Sequence, residues 1–320
     1  MRCPDNMQVF RHIDDPGLAL AKSVVTLGNF DGIHLGHRAL IEGAVRDARE
    51  MGVPAIVLTF EPHPVKVLAP ERAPKMILAH KDKMQLLQSL DVDIVVVQHF
   101  DLSFAKIAAE DFVRRFLAER LKPAKIWVGR DFRFGQGRKG RAEDLVHWGD
   151  QYGFSVAVVE PILVDGVRVS SSQARELIEA GKVDAVTELL GRYHFLSGRV
   201  VTGHRRGRDL GFPTANIAAR TELIPRDGIY ATIFHLGERD LPSVSSIGIN
   251  PTFGAGPRTV ESFILNFNGD IYGAAVRLSF VQRLREEQAF SSVESLVEQI
   301  GRDVDRAKEV FRGLRLFPEI

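Results

Sequence analysis

The sequence predicts an α/β module followed by a mainly β one: a doubly wound parallel sheet, then an antiparallel β-barrel closed by a terminal helix. Two rhythms carry this reading. In the first half, short apolar runs alternate with longer segments of helical period, the pattern of a parallel sheet covered by helices. After about residue 184, strand-like runs follow one another directly, separated by turns rich in Gly, Asn, Pro and Asp. The boundary is set inside "AGKVDAVTELLGR" (180–192), giving modules of residues 1–183 and 184–320.

Taken in order, "VVTLG" (24–28) is a buried strand leading into a helix whose apolar face is Leu40, Ile41, Ala44, Val45, Ala48 and Met51. "AIVLTF" (55–60) is the next strand, followed by the turn "EPHP". A short helix over 81–90 precedes the strand "VDIVVVQ" (92–98). The amphipathic stretch "AEDFVRRFLAERL" (109–121) leads to the strand "KIWVG" (125–129), and a helix over 142–152 leads to "FSVAVVE" (154–160). In the second half the strands are "LSGRVVTG" (196–203), "GIYATIF" (228–234), "PSVSSIGI" (242–249), "VESFILNF" (260–267) and "AVRLSFVQRL" (275–284). A last helix is capped by Ser291 or Ser292 and carries the stripe Val293, Leu296, Val297, Ile300, Val304, Ala307 and Phe311, which reads as core packing.

Composition narrows the function. Hydrophobic residues are 45% and charged residues 26% of 320, as expected of a soluble globular protein rather than a disordered or fibrous chain. The formal net charge of +1 lacks the basic excess of a dedicated nucleic-acid binder. Cys3 is the single cysteine, which excludes a disulfide framework and a cysteine-rich zinc site. No apolar run approaches the about 18 residues of a membrane span. A cytoplasmic protein with no nucleic-acid partner and no membrane partner is expected, and a homo-oligomer is compatible with the sequence.

The chemistry gathers at strand ends. In "GNFDGIHLGH" (28–37), His34 and His37 flank Gly36 where a strand becomes a helix. Helix-start N–H groups and the helix dipole favour an anion there, and the glycine leaves room for it. Two histidines are too few for a zinc site, so phosphate binding is the reading. "RVSSSQAR" (168–175) opens another helix with Ser170, Ser171 and Ser172, with Arg175 on its first turn, and is a second phosphate candidate. "TFEPHP" (59–64) and "VGRDFRFGQGRKG" (128–140) also follow strands. In the latter, Phe132 and Phe134 beside Arg130, Arg133, Arg138 and Lys139 suit a planar ligand that bears phosphate. In "VTGHRRGRDLGFPTANI" (201–217), Thr214 and Asn216 put two hard oxygen ligands on one side of an extended chain, as Mg²⁺ bound to phosphates requires. Glu261 is either a solvent-facing carboxylate or the general base of a kinase.

"GNFDGIHLGH", "TFEPHP", "VGRDFRFG", "RVSSSQAR", "LGFPTAN", "NPTFG" and "LREEQAFSS" stand in the order found in bacterial bifunctional riboflavin kinase/FMN adenylyltransferases, and the chain resembles that family from about residue 22 to 311. The resemblance implies a nucleotidylyltransferase-like first module and a riboflavin kinase-like barrel. It implies ATP or phosphate contacts at Gly28, Asn29, Phe30, His34, Gly36, His37, His63, Ser170, Ser171, Ser172 and Arg175 in the first site. In the second it implies them at Gly211, Thr214 and Asn216. It further implies flavin contacts at Asp131, Phe132, Phe134 and Arg285, Mg²⁺ held by Thr214 and Asn216, and Glu261, His34 and His37 as catalytic residues. ATP would be co-substrate in both reactions, with riboflavin, FMN and FAD as the remaining ligands. Ser172 stands where threonine is frequent, Gln173 where a basic residue is, and Ser262-Phe263 where a later His or Tyr is common. Two other readings compete: a nucleotidylyltransferase with an RNA-binding barrel that uses the arginines near 205–208, and a flavin-binding regulator without catalysis.

Overall fold

The computed structural model describes residues 7–203, 211–249 and 258–317. The arginines at 205, 206 and 208 and the stretch "NPTFG" (250–254) lie outside the described residues. Contacts divide the chain into two compact units, Met1–Lys75 with His80–Ser170, and Met76–Ala79 with Ser171–Ile320.

The first unit is a six-stranded sheet with every pairing parallel. Its strands are β1 (Gln8–Phe10), β2 (Ser23–Leu27), β3 (Ala55–Glu61), β4 (Ile94–His99), β5 (Pro123–Gly129) and β6 (Ser155–Val159), in the order β1-β4-β3-β2-β5-β6. β2 is buried throughout, as a central strand covered on both faces must be. The chain leaves β2 toward β3 and β4 on one side and later crosses to β5 on the other, so strand order reverses between β2 and β5. In open sheets that reversal opens a crevice at the carboxyl ends of the strands. The segments following β2 and β5 are "GNFDGIH" and "RDFRF", two of the stretches singled out above.

Helix α1 (Leu35–Met51) packs on this sheet through Leu40, Ile41, Ala44 and Ala48, whereas Met51, expected on that face, is exposed beside the C-cap Gly52. The one-turn α2 (Pro64–Leu68) follows β3, α3 (His80–Ser89) precedes β4, and α4 (Ala142–Tyr152) precedes β6. The amphipathic stretch at 109–121 is helical, but Phe112–Leu121 is wound with π-type pairing, which the apolar period alone does not reveal. The three-residue β1 is too short to leave a periodic signal.

The second unit opens with α5 (Ser171–Glu179), ahead of the stretch read as a boundary, and α6 (Val183–Leu190), within it. Ile77 packs among Ala174, Ile178, Val186, Leu190 and Leu223, all fully buried. Burial of the Ile77 side chain contributes roughly 1.5–3 kcal/mol by leaving water, so a distant short segment is stitched into this unit. The barrel strands are β7 (His194–Val201), β8 (Thr214–Ala219), β9 (Gly228–Leu236), β10 (Arg239–Gly248), β11 (Thr259–Ile264) and β12 (Ala275–Arg285). They close in the order β7-β8-β11-β10-β9-β12, all antiparallel.

Period-two alternation sorts the barrel residues. Leu196, Val200, Tyr230, Phe234, Leu278 and Phe280 form one core cluster. Ile229, Ala231, Ile233 and Val281 face the other way and meet Val304, Ala307 and Phe311 of α7 (Val293–Gly313). Ser292 is the N-cap of α7, its hydroxyl accepting from the Ser295 N–H, while Val293 at the head of the expected stripe is exposed. Thr232, Ser243, Ser245 and Ser262 are fully buried, and they hydrogen-bond one another at 2.7–2.9 Å, which satisfies polar groups that burial would otherwise penalise.

Candidate functional sites

In the first unit, the chain leaving β2 turns through Phe30 (φ +50°), Gly32 (φ +85°) and Ile33 (φ +40°) before entering α1. Positive φ is rare for a phenylalanine and costly for a β-branched isoleucine. Such conformations persist where their surroundings impose them, and they gather at working sites. Here Phe30 and Ile33 are fully anchored in the core. The turn delivers His34 to the N-cap of α1, where its Nδ1 accepts the backbone N–H of His37 at 3.2 Å. An accepting Nδ1 puts the ring proton of a neutral imidazole on Nε2, the tautomer that donates to a phosphate oxygen. The His37 ring stacks on the His34 ring, centroids 3.7 Å apart and planes 16° from parallel, and the Phe30 ring meets His37 edge-on at 5.2 Å. A Cβ on Gly36 would lie 3.1 Å from the His34 ring. The glycine thus lets two imidazoles and the helix N-terminus share one spot.

Asn29 Nδ2 and His63 Nε2 lie 3.1 Å apart, joining the turn after β2 to the turn after β3. His63 caps α2 by accepting the Val65 N–H at Nδ1. That cap puts the ring proton of a neutral His63 on Nε2, and a hydrogen bond from it to Asn29 requires the amide turned so that its oxygen takes the place of Nδ2. A residue that sequence reasoning missed lies beneath: Lys83 of α3, whose Nζ donates to the Asn29 carbonyl and to Thr59 Oγ1, both at 3.3 Å. No motif flags it, because a lysine in an amphipathic helix ordinarily reads as surface.

After β5, Asp131 is exposed and paired with Arg168. Phe132 is half-buried and stacks on Phe134 at 5.4 Å, whereas Phe134 is buried against Phe112 and Trp148. Arg130 is held by Glu160 at 2.5 Å and by Glu143 at 3.6 Å. Ser170 belongs to the first unit; Ser171, Ser172 and Arg175 lie on the first turns of α5 in the second.

In the second unit, β8 and β11 pair so that Asn216 faces Glu261 directly across the ladder, and Thr214 faces Phe263. Because Ala215 and Ile217 point into the barrel core, Thr214 and Asn216 point away from it, beside Glu261. Thr214 Oγ1 donates to Glu261 Oε2 at 3.1 Å and Thr259 Oγ1 donates to Oε1 at 3.3 Å. The carboxylate is held between two hydroxyls, half-buried and opposite the amide. A Cβ on Gly203 would lie 2.1 Å from Asn216 Nδ2, so that glycine makes room for the amide. Gly211, at φ +84°, provides the turn just before Phe212-Pro213-Thr214. Arg285, at the end of β12, forms a bidentate pair with Asp303 of α7, with Nη2 to Oδ2 at 2.7 Å and Nε to Oδ1 at 2.8 Å. Among the described residues, no group of three or more His, Cys, Asp or Glu side chains could hold a metal ion.

Residues 18–173 match the family described as FAD synthetase, and residues 190–311 match the one described as riboflavin kinase. The bifunctional riboflavin kinase/FMN adenylyltransferase of Escherichia coli strain K12 is 37% identical over 289 residues, which is 90% of this chain and 92% of that protein. The chain belongs to the bifunctional riboflavin kinase/FMN adenylyltransferase family. The Pseudomonas fluorescens member is 38% identical over 286 residues, 89% of this chain and 92% of its own. A solved structure titled as a macrolide-efflux protein from Streptococcus pneumoniae superposes with a TM-score of 0.85 at 31% identity, covering 94% of this chain and 98% of that one. Among the described residues of this family member, no helix is long and apolar enough to cross a membrane. The chain is therefore a transferase with a riboflavin kinase module and an FMN adenylyltransferase module.

Proposed function

We propose that residues 184–320 phosphorylate riboflavin and residues 1–183 adenylylate the FMN so made, each reaction consuming one ATP. In the first, the terminal ribityl hydroxyl attacks the γ-phosphorus of ATP, the bond to the β-phosphate oxygen breaks, and ADP leaves. The hydroxyl proton passes to Glu261. The observation that carries this assignment is the Glu261 carboxylate held by Thr214 and Thr259 directly opposite Asn216. A carboxylate fixed by hydroxyl donors is positioned to accept a proton without searching for its rotamer.

The Thr214 hydroxyl and the Asn216 amide oxygen are the hard donors Mg²⁺ takes, and the space kept by Gly203 suits a ligand seated against that amide. Mg²⁺ held there with the ATP phosphates would neutralise charge on the transferring group. Thr214 links the two tasks, since its hydrogen goes to Glu261 and its lone pairs remain for the cation.

In the second reaction an FMN phosphate oxygen attacks the α-phosphorus of ATP, the bond to the β-phosphate breaks, and pyrophosphate leaves. The nucleophile is already an anion and needs no base. What it needs is positive potential, which the α1 N-terminus with His34 and His37 supplies. Ser170, Ser171, Ser172 and Arg175 are assigned to ATP phosphates. Phe132 and Asp131 are assigned to flavin, with Phe134 as the buried support of the Phe132 ring. Dependence on ATP fits a cytoplasmic setting.

The test is incubation of the full chain with riboflavin, ATP and Mg²⁺, with products separated by chromatography. FMN with ADP, followed by FAD with pyrophosphate, is expected. FMN without FAD would overturn the first module's assignment, and unchanged riboflavin would overturn the second's.

A further inference from the structure

Lys83 is a lysine in an unusual place. It is 8% exposed, and lysines are almost never buried unless something holds their charge. Its ammonium sits where β2 and β3 end, donating to the Asn29 carbonyl and to Thr59 Oγ1, while Thr59 Oγ1 itself donates to the Asn29 carbonyl at 3.2 Å. Those three groups close a ring of hydrogen bonds under the first residue of the turn that leads to His34. The turn needs such an anchor, because Phe30, Gly32 and Ile33 all take positive φ within four residues. Asn29, held through its carbonyl, in turn touches His63 through its side chain. One ammonium thus ties α3 to the turn after β2 and to the end of β3, and through Asn29 to the turn after β3.

We propose that Lys83 is a positioning residue for adenylylation, its charge locking the turn at Asn29 so that His34 and His37 meet the ATP phosphates in register. This rests on the assignment of adenylylation to the His34/His37 site. The acidic groups acting on Lys83 are Asp31 in the turn and Glu61 at the end of β3, and on its own helix Asp82 and His80 are neighbours in sequence, His80 lying 3.6 Å from Glu61. Burial lowers the Lys83 pKa, and Glu61 and Asp31 oppose that shift. Below its lowered pKa the ammonium holds the turn; above it the neutral amine still donates weakly but its charge is gone. Adenylylation should therefore decline on an alkaline limb that riboflavin phosphorylation by the same chain does not share.

The experiment compares Lys83→Met and Lys83→Arg with the parent, in the full chain, measuring adenylylation of supplied FMN and phosphorylation of riboflavin across pH. Lys83→Met is expected to lower the adenylylation kcat about 100-fold, the scale set by misplacing catalytic groups by about 1 Å, with phosphorylation unchanged. Lys83→Arg keeps a permanent charge; it is expected to recover at least about tenfold of that loss and to abolish the alkaline limb. Lys83→Met within about threefold of the parent would overturn the proposal. If Lys83→Met loses both activities through misfolding, Lys83→Arg decides: an alkaline limb like the parent's overturns the proposal, and its absence supports it. His37→Ala separates the two levels. If that variant adenylylates at the parental rate, the underlying site assignment fails; if it does not while Lys83→Met is unaffected, the Lys83 proposal alone fails.

Discussion

Replacing Arg285 with methionine is expected to loosen α7 from the barrel. The resemblance puts Arg285 near the flavin, yet in the structure its guanidinium makes three contacts with the Asp303 carboxylate, at 2.7, 2.8 and 3.1 Å. The Asp303 side chain is 6% exposed. Methionine keeps most of the apolar stem and deletes those donors, leaving the carboxylate with the Gln299 Nε2 donor at 3.0 Å. Stranding one partner of a buried ion pair costs about 3–5 kcal/mol. For a unit of this size each kcal/mol lowers the midpoint by about 2–4 °C, so a fall on the order of 10 °C follows. Adding Asp303→Leu removes the stranded charge and should restore most of the loss. Differential scanning calorimetry of the single and double variants, with the riboflavin KM measured on each, tests this. A single variant melting within about 2 °C of the parent, with a raised riboflavin KM, would refute the argument and return Arg285 to the flavin.

His37→Ala should cut FAD formation by about 10²–10³-fold while leaving FMN formation intact, as read by product chromatography. Glu261→Gln keeps the shape and a hydrogen bond to the flanking threonines but cannot take the proton, so riboflavin phosphorylation should fall about 10²–10⁴-fold and excess Mg²⁺ should not restore it. Gly203→Ala should push the Asn216 amide aside, given the 2.1 Å approach, and raise the Mg²⁺ concentration needed for half-maximal kinase activity. His194 is 1% exposed, its Nε2 has no hydrogen-bond partner, and burial takes its pKa down to about 3. Between that value and 6.5 the unfolded chain binds a proton the folded one refuses, so stability is lost as pH falls through this window, by an amount on the order of 5 kcal/mol at its foot. His194→Phe should remove that acid sensitivity in urea titrations at pH 4 and pH 7.

The α/β-then-barrel architecture was legible because both modules write their period into the sequence. Buried parallel strands such as "AIVLTF" are continuous apolar runs, and barrel strands such as "VESFIL" alternate. What stayed hidden is set by distant contacts. Ile77 joins a cluster with Ala174 and Leu223, roughly a hundred residues and more away, and no local pattern announces that. Pairing of the short β8 with β11 brings Thr214 to Glu261; the sequence supplied both residues and an extended chain, but not the ladder. Lys83 was invisible for the opposite reason, since its residue type argues for the surface and its partner is a backbone carbonyl. Phe134 was read for its ring chemistry, whereas its neighbours Phe112 and Trp148 make it part of the core.

The two reactions ask different things of a protein, and the two candidate sites differ accordingly. A ribityl hydroxyl is a poor nucleophile until something accepts its proton, so that site needs a base on a rigid support. Glu261 has one, with its strand paired on both sides and its two oxygens each held by a threonine hydroxyl. An FMN phosphate arrives ionised and meets a polyanionic triphosphate, so the problem there is repulsion rather than proton removal. In the proposed adenylylation site the donors are a helix N-terminus and two stacked imidazoles, with a buried ammonium holding the Asn29 carbonyl at the start of the turn before them. Such a site depends on donors being fixed before the ligand arrives, because donors free to relax away lose most of their advantage over water. On the proposed assignment, that requirement accounts for the turn between β2 and α1. Its left-handed residues cost stability; the side chains of Phe30 and Ile33 are buried and Lys83 donates to the Asn29 carbonyl, contacts that on the proposed assignment keep His34 and His37 aimed together.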